Sequence, residues 1–369
     1  MPAPTRLSVH SILDLFRSPQ PELLVSAHRG LRWDGVPENS ADAVLNAARF
    51  GLLCIEVDLR LTSDGVPILF HDRLAGRATN IAEYLGRHDV YSPYSGDGYA
   101  PAINTLPWSV VRQLNLKNEH GEITDAHILD FASFLDLIKA HGVDLIVFLD
   151  VKSKEAMPIA YEVMKSRTNA RGVPASDWCV WKPAVEFYPN PANLEAEPWF
   201  QHALATGKPQ YIPVFEPSSA RVMDVLAAAK AYATRPYTLA LEVGLRSPTG
   251  PLRNLVDWAH GAGIAMGWFG TLGDIHPADG REEVYDLAGF DLAAAQKPGA
   301  PPTCFDEGIP PTSYDTLLAP GDAPDGKDWR YDLDLFKALG YTWIIAPPTS
   351  SRHSLHSRRP WTRCGATPG

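Results

Sequence analysis

Three short apolar runs in residues 23–72 each end in or carry ionisable side chains, and this arrangement constrains the fold more than any other feature. The first run ends at His28, and the third ends at His71. The second run carries Glu56 and Asp58. Continuous apolar runs are typical of strands buried on both faces, as in parallel sheets. Since ligands bind at the carboxyl ends of such strands, these side chains are predicted to share one site.

Glu56 and Asp58 are two positions apart, so their side chains are predicted to leave the same face of the strand. Two adjacent carboxylates repel each other unless a cation lies between them or one holds a proton. A divalent cation is the simplest partner, and oxygen ligands suit Mg²⁺ or Ca²⁺ better than zinc. The alternative interpretation is a strand end in which the two acids form salt bridges, for example with Arg60.

His28 and His71 end the apolar runs on either side of this acidic pair. Two imidazoles beside a hard cation are suited to acid–base catalysis on a phosphate ester. The alternative is a pair of hydrogen-bonded histidines in the protein core. Their shared position next to the two carboxylates favours catalysis.

Five motifs in this region resemble those of the glycerophosphodiester phosphodiesterases. In chain order they are His28-Arg29-Gly30, Pro37-Glu38-Asn39-Ser40, Glu56-x-Asp58, Ser63-Asp64-Gly65 and His71-Asp72. The resemblance is dense over residues 23–80, continues loosely to residue 152 and then thins. It implies a metal-dependent TIM (β/α)8 barrel that cleaves a glycerophosphodiester-like or lysophospholipid-like P–O bond.

The resemblance also implies roles for individual side chains. These are catalysis by His28 and His71, metal ligation by Glu56, Asp58 and Asp150, and phosphate contacts by Arg29 and Lys152. Asp150 and Lys152 lie on the strand predicted over 145–152 and are predicted to share a face with Phe148. The family usually has a glutamate where Asp150 stands. The shorter side chain leaves room for an extra metal-bound water or a shifted ion.

Further candidates for the substrate site are Glu38, Trp268, Lys182, Glu216 and Glu242. Glu38 is interpreted as a metal neighbour, an orienting group or a glutamate near a helix start. Trp268 matches the family's tryptophan near the pocket, with a buried barrel aromatic as the alternative. The other three end later strands, and Glu216 or Glu242 could contact a cationic head group such as choline. The family's usual residues after Trp268 and at 346–349 are absent, so the reaction class transfers better than the substrate.

The chain of 369 residues has the length of one α/β barrel with insertions. The predicted parts are an N-terminal extension with a short helix (1–22), the barrel domain (23–349) and a flexible tail (350–369). Insertions are predicted near 73–107, as a long polar loop at the site, and over 271–330. Helices are predicted at 108–115 and 130–141, before the strand that carries Asp150. Nine strand candidates are present, whereas a barrel takes eight, so one is predicted to lie outside the barrel.

The formal net charge of −10 argues against a nucleic-acid partner or an anionic membrane surface. A small anionic phosphodiester would therefore need local positive charge, which Arg29, Lys152 and a metal would provide. Cys54 and Cys179 are interpreted as buried thiols. The chain has no signal-peptide pattern and no membrane-spanning apolar run. A cytoplasmic protein is the default expectation, or a secreted one if a signal peptide was removed, and the oligomeric state stays open.

Three alternatives to a hydrolase remain at this point. A lyase of the sphingomyelinase D type shares the two histidines, the Glu-x-Asp pair and an Asp-x-Lys strand, and gives a cyclic phosphate. A binding protein could keep the motifs without turnover, although the intact His28 and His71 argue against it. A biosynthetic enzyme could use the same metal site on another phosphorylated metabolite.

Overall fold

The computed structural model describes residues 7–17, 23–91, 97–118, 121–245, 250–269 and 333–346. The insertion predicted over 271–330 and the tail predicted over 350–369 lie outside these residues. So do Cys304 and Cys364. Among the described helices, none combines the length and the apolar character that crossing a bilayer requires.

The secondary structure alternates between strands and helices over most of the chain. The helices are α1 (Val9–Arg17), α2 (Ala41–Phe50), α3 (Ile81–Tyr84), α4 (Trp108–Val111), α5 (Phe131–Ala140), α6 (Ala156–Met164), α7 (Pro191–Glu195), α8 (Pro198–Thr206), α9 (Pro217–Val222), α10 (Val225–Ala233), α11 (Pro251–Gly261) and α12 (Leu333–Ala338). The strands are β1 (Leu24–Ala27), β2 (Cys54–Leu61), β3 (Pro67–Leu69), β4 (Asn115–Lys117), β5 (Ile123–His127), β6 (Ile146–Val151), β7 (Cys179–Pro183), β8 (Gln210–Tyr211), β9 (Val214–Phe215), β10 (Leu241–Val243), β11 (Met266–Phe269) and β12 (Trp343–Ala346).

The parallel strands form a TIM barrel, as the sequence predicted. Their hydrogen-bonded order is β8-β7-β6-β2-β1-β12-β11-β10-β9. Only Ile212 and Pro213 separate β8 from β9, so these two pieces act as one strand, between β7 on one side and β10 on the other. A parallel bridge from Ala184 to Val214 also joins the β7 side to β9. Counted in this way, the described residues supply eight parallel strands around the core.

Of the nine strand candidates, the one predicted over 66–71 lies outside the barrel. Its ordered part, β3, runs antiparallel to β2, with Leu69 opposite Leu59. The prediction that this run ends as a parallel strand beside the other two is therefore wrong. The turn at 62–65 explains the reversal, because Thr62 N donates to Val66 O (3.0 Å) and Gly65 takes a φ of 77°. Folding back along β2 still returns His71 to the level of the acidic residues.

The helix starts and ends follow local capping rules. Ser40 receives a hydrogen bond from Ala43 N (3.2 Å) and begins α2, and Gly51 ends that helix at a φ of 87°. Asp130 caps α5 through Ser133 N (2.8 Å), so the helix predicted at 130–141 is confirmed. Cys54 and Cys179 are buried free thiols, as predicted, and burial raises the pKa of Cys54 to about 12.

The connection between β3 and α5, called here the 70–130 segment, is more ordered than predicted. Its described residues contain α3, α4 and the antiparallel pair β4–β5, packed on a separate apolar cluster that includes Phe70, Ile81 and Leu116. The helix predicted at 108–115 ends at Val111. Asn115 already belongs to β4, where its backbone N donates to Asn80 Oδ1 (2.8 Å). Pairing of Asn115 with Asn80 therefore takes the place of the last predicted helical turn.

An aromatic cluster closes the amino end of the barrel. Phe16 of α1 lies edge-on to Phe148 (5.3 Å between ring centroids) and to Trp343 (6.0 Å). Phe148 and Trp343 stack on each other at 4.8 Å. The predicted N-terminal helix therefore buries its apolar face under the barrel. Arg17 Nη2 also donates to Gln210 Oε1 (2.5 Å) at the start of β8.

Gly267 leaves the space that the Trp343 ring needs. A Cβ at this position would overlap the indole, so Gly267→Ala is expected to destabilise the protein by about 1–3 kcal/mol through overpacking. Chemical denaturation measures the change. Gly261→Ala is the matched control, because a Cβ there meets no atom within 4 Å. Equal stability of the two variants would contradict the tight fit.

Candidate active site

Three carboxylates meet at the carboxyl end of the barrel strands, an opening called here the mouth. Glu56 and Asp58 lie on one face of β2, and Asp150 of β6 is in register with Asp58. One oxygen from each lies within 4.8 Å of the other two. Glu56 and Asp58 are buried, whereas the Asp150 side chain is 27% exposed. The cluster can therefore be reached from the mouth.

The surroundings of the carboxylates fit a divalent cation. Among the described residues, no hydrogen-bond partner reaches the buried Glu56 Oε1. Unless a cation lies among the three acids, burial raises the pKa of Glu56 well above its usual value, and Asp58 and Asp150 add to the rise. Oxygen ligands of this kind are typical of Mg²⁺ and Ca²⁺ sites. These residues could hold one such ion.

Two lysines balance part of this negative charge. Lys152 Nζ lies 3.0 Å from Asp58 Oδ1 and 3.5 Å from Asp150 Oδ1. Lys182 Nζ lies 3.1 Å from Asp150 Oδ2. Burial alone would raise the pKa of Asp150, but Lys152 and Lys182 lower it to about 2. Asp150 is therefore an anion at neutral pH.

Arg29 contacts three acids of the site. Its backbone N donates to Glu56 Oε2 (3.0 Å), and its Nη1 donates to both oxygens of Glu38 (3.1 and 3.0 Å). Its Nε lies 3.3 Å from Asp58 Oδ2. The residue has a φ of 58° and a fully buried side chain. Its contacts with three acids hold this uncommon backbone conformation.

Glu38 lies in a cluster of arginines in front of α2. Besides Arg29, Arg32 Nη1 (3.2 Å) and Arg77 Nη2 (2.6 Å) contact its carboxylate. Burial alone would raise the pKa of Glu38, but the three arginines lower it well below its usual value. Since α2 begins at Ala41, the helix-start interpretation of Glu38 has no support in the geometry. Its contacts match those of an orienting group.

The two histidines flank the carboxylates from different elements. His28 follows β1, with Nε2 at 3.9 Å from Glu56 Oε2 and its ring beside Phe269. His71 Nδ1 lies 2.8 Å from Asp72 Oδ1. Burial lowers the pKa of His28 and of His71 well below the usual value, and Arg29 adds to both shifts. The neutral imidazole, which can accept a proton, is therefore the main form of each ring at pH 7.

Several site residues escaped the sequence analysis. Asn39 Nδ2 donates to Asp58 Oδ2 (2.8 Å), and its Oδ1 accepts from Asp58 N (3.1 Å). The sequence assigns Asn39 no role in the site beyond its place in the Pro37-Glu38-Asn39-Ser40 motif, and Ser40 is the residue that caps α2. The asparagine in the motif was itself a clue to this contact with Asp58, because asparagine adopts a positive φ more readily than most residues, and here its φ is 54°. That backbone conformation turns the amide towards Asp58.

Arg77 and Asp72 form the second group that was missed. Arg77 donates to both oxygens of Asp72 (2.6 and 2.8 Å) and also contacts Glu38. Asp72 in turn faces His71. The 70–130 segment therefore contributes a side chain that connects the acidic partner of His71 to the arginine cluster around Glu38. No short-range sequence pattern predicts such a contact.

The later strands place their candidate residues differently. Lys182 and Glu242 are buried under the mouth, 3.0 Å apart between Nζ and Oε1. Trp268 packs on Phe336 of α12 (4.0 Å between centroids), which fits the buried-aromatic alternative. Glu216 stands at the start of α9, where its backbone N donates to Ser219 Oγ (3.0 Å). A pocket contact for these residues remains a prediction.

Residues 28–195 match the sequence profile of the glycerophosphoryl diester phosphodiesterase family. This segment, which is less than half of the chain, is similar to that family. The match begins at His28 and includes the candidate metal ligands and both histidines. The recognition made from the five short motifs is thus confirmed.

Curated relatives and a solved structure are similar to this chain over different lengths. Protein y4eD of Sinorhizobium fredii is 31% identical over 38% of this chain and 36% of its own length. Glycerophosphodiester phosphodiesterase 1 of Rattus norvegicus is 27% identical over 61% of this chain and 63% of its own length. The chain thus spans less than two thirds of these relatives.

Among solved structures, a glycerophosphoryl diester phosphodiesterase from Parabacteroides distasonis shares the fold. Its TM-score is 0.53 at 17% identity, covering 92% of this chain and 88% of that chain. At this identity the similarity supports the barrel fold and nothing more specific. It agrees with the closed strand order described above.

Proposed function

We propose that this chain is a metal-dependent phosphodiesterase that hydrolyses a small glycerophosphodiester-like or lysophospholipid-like substrate. The observation that supports this most is the cluster of Glu56, Asp58 and Asp150 flanked by two buried imidazoles. The family match over residues 28–195 supports the same reaction class. One divalent cation, Mg²⁺ or Ca²⁺, would be held by the three carboxylates.

When bound, the cation would supply positive charge against a phosphate oxygen. Lys152, whose side chain is 19% exposed, would offset the charge on another oxygen. Arg29 is buried among acids, so its contribution to phosphate binding would be mainly the positive field it adds beneath the site. Asn39 and Arg29 would hold Asp58 in place from the opposite side.

The imidazoles would move the protons. One, as a neutral ring, takes the proton of the attacking hydroxyl as the new P–O bond forms, and the other, which must enter the cycle as the imidazolium, gives its proton to the leaving alkoxide as the old P–O bond breaks. The contact between His71 Nδ1 and Asp72 favours His71 as the base. A carboxylate beside the ring stabilises the imidazolium, and with Nδ1 turned to Asp72 the proton would be taken at Nε2.

A neighbouring hydroxyl on the substrate, as in glycerol, would attack first because it is held at high effective concentration. Water would then open the cyclic phosphate. We expect an open-chain phosphomonoester to accumulate, with any cyclic species transient. Phosphorus NMR of the reaction with a glycerophosphodiester, a lysophospholipid or sphingomyelin measures this directly.

A cyclic phosphate that persists as the sole product would replace the hydrolase by the lyase alternative. No turnover of any of these substrates with Mg²⁺, Mn²⁺ or Ca²⁺ would instead favour a binding protein or a biosynthetic enzyme. Heat-inactivated protein with the same ions is the control for spontaneous cleavage.

A further inference from the structure

Four charged side chains meet in one layer inside the barrel. Asp58, Asp150 and Lys182 are in register on β2, β6 and β7, so they stand side by side at the same height. Glu242 of β10 faces them from across the barrel. The two partners of Lys182 Nζ lie on opposite sides, Asp150 Oδ2 at 3.1 Å and Glu242 Oε1 at 3.0 Å.

Burial distinguishes the members of this layer. The Lys182 side chain is 2% exposed and that of Glu242 is 1% exposed, whereas Asp150 is 27% exposed. A substrate head group in the mouth would reach Asp150 before either of the other two. The geometry therefore fits Lys182 and Glu242 as support for Asp150 better than as substrate contacts.

We propose that Lys182, held from behind by Glu242, is a positioning residue that fixes Asp150 in the metal-binding cluster. The proposal rests on the metal site of the proposed function. Asp150 is repelled by Glu56 and Asp58 and is exposed enough to turn towards solvent. A buried ammonium bonded to Asp150 Oδ2 opposes that rotation.

Glu242 stabilises Lys182 in its buried position. A buried lysine remains charged only when carboxylates compensate for the lost water, and two of them lie within 3.1 Å of this ammonium. The aspartate at position 150 is short, so its oxygens cannot reach far from the β6 backbone. The fixed ammonium of Lys182 limits the positions that the Asp150 oxygens can take.

The test is the affinity for Mg²⁺ and Ca²⁺ without substrate, measured by titration calorimetry. Lys182→Met is expected to weaken binding about 10- to 100-fold, as for other residues that orient metal ligands. The direction of the change in ion affinity distinguishes a positioning role from simple repulsion. A lysine that merely repelled the ion would, when removed, make binding tighter, and tighter or unchanged binding would overturn the proposal.

A second variant and a control keep the result interpretable. Lys182→Gln removes the charge but keeps a donor for Asp150, so its affinity is expected to lie between those of the wild type and Lys182→Met. If Lys182→Met does not fold, this variant decides, and binding tighter than wild type overturns the proposal. Lys154→Met is the matched control, because Lys154 pairs with Glu197 at the surface and is expected to leave affinity unchanged.

A double-mutant cycle tests whether Lys182 acts through Asp150. In the Asp150→Ala background, Lys182→Met should weaken binding no further. An equal loss in both backgrounds would overturn the positioning role. Wild-type protein that binds the ions as expected but turns over no phosphodiester would overturn the proposed function and leave this inference standing.

Discussion

Replacing His28 or His71 by alanine is expected to lower kcat about 10²–10⁴-fold, the usual loss when a general acid or base is removed. Both rings lie at the carboxylate cluster and are mainly neutral at pH 7, because burial and Arg29 lower their pKa values. Steady-state kinetics at saturating Mg²⁺ measures the loss. His202→Ala is the matched control, since His202 lies on α8 with Tyr161 as its partner.

The fold and the metal site should survive these substitutions. Calorimetry on each variant should show ion binding close to that of the wild type, because neither imidazole belongs to the carboxylate cluster. A variant that keeps near-normal kcat would assign its histidine a structural role instead. A variant that loses ion binding together with kcat would contradict the separation between acid–base groups and metal ligands.

Removing divalent cations is expected to abolish turnover, and Mg²⁺ or Ca²⁺ should restore it. The ion should also stabilise the protein, because Glu56, Asp58 and Asp150 repel one another without it. An ion at 100 times its Kd would add about 2.7 kcal/mol to the free energy of unfolding. Activity assays with EDTA and thermal unfolding with added ion measure both effects.

Asp58→Asn should remove both the activity and the rise in Tm on adding the ion. Asp125→Asn is the control, because Asp125 is an exposed residue on β5. Full turnover in excess EDTA, with no metal found by elemental analysis, would reject the metal-dependent mechanism. A Tm that rises equally in wild type and Asp58→Asn would place the bound ion elsewhere.

Local patterns were enough to predict that Glu56 and Asp58 lie together at the candidate site. The two-residue period of a strand places Glu56 and Asp58 together, and the apolar runs locate the strand ends. An apolar run does not show the direction of its strand, however, so the antiparallel course of β3 was missed. That direction depends on the turn at 62–65 and on pairing with β2.

The supporting contacts depend on tertiary structure. Lys182 meets Asp150 only because β6 and β7 pair in one register, and a shift of one residue would turn it away. Arg77 reaches Asp72 because the 70–130 segment is anchored by its own apolar cluster. Neither the register between distant strands nor the path of an insertion can be read from spacing along the chain.

The aromatic cluster of Phe16, Phe148 and Trp343 fills the amino end of the barrel. In the part of the chain that the structure describes, Glu56 and Asp58 are then approached from the carboxyl side of the strands, where Asp150 is 27% exposed. Substrate and product would then pass through the same opening. A slowly departing molecule would delay the next one, so the residues that border the mouth influence the speed of each cycle without touching any reacting atom.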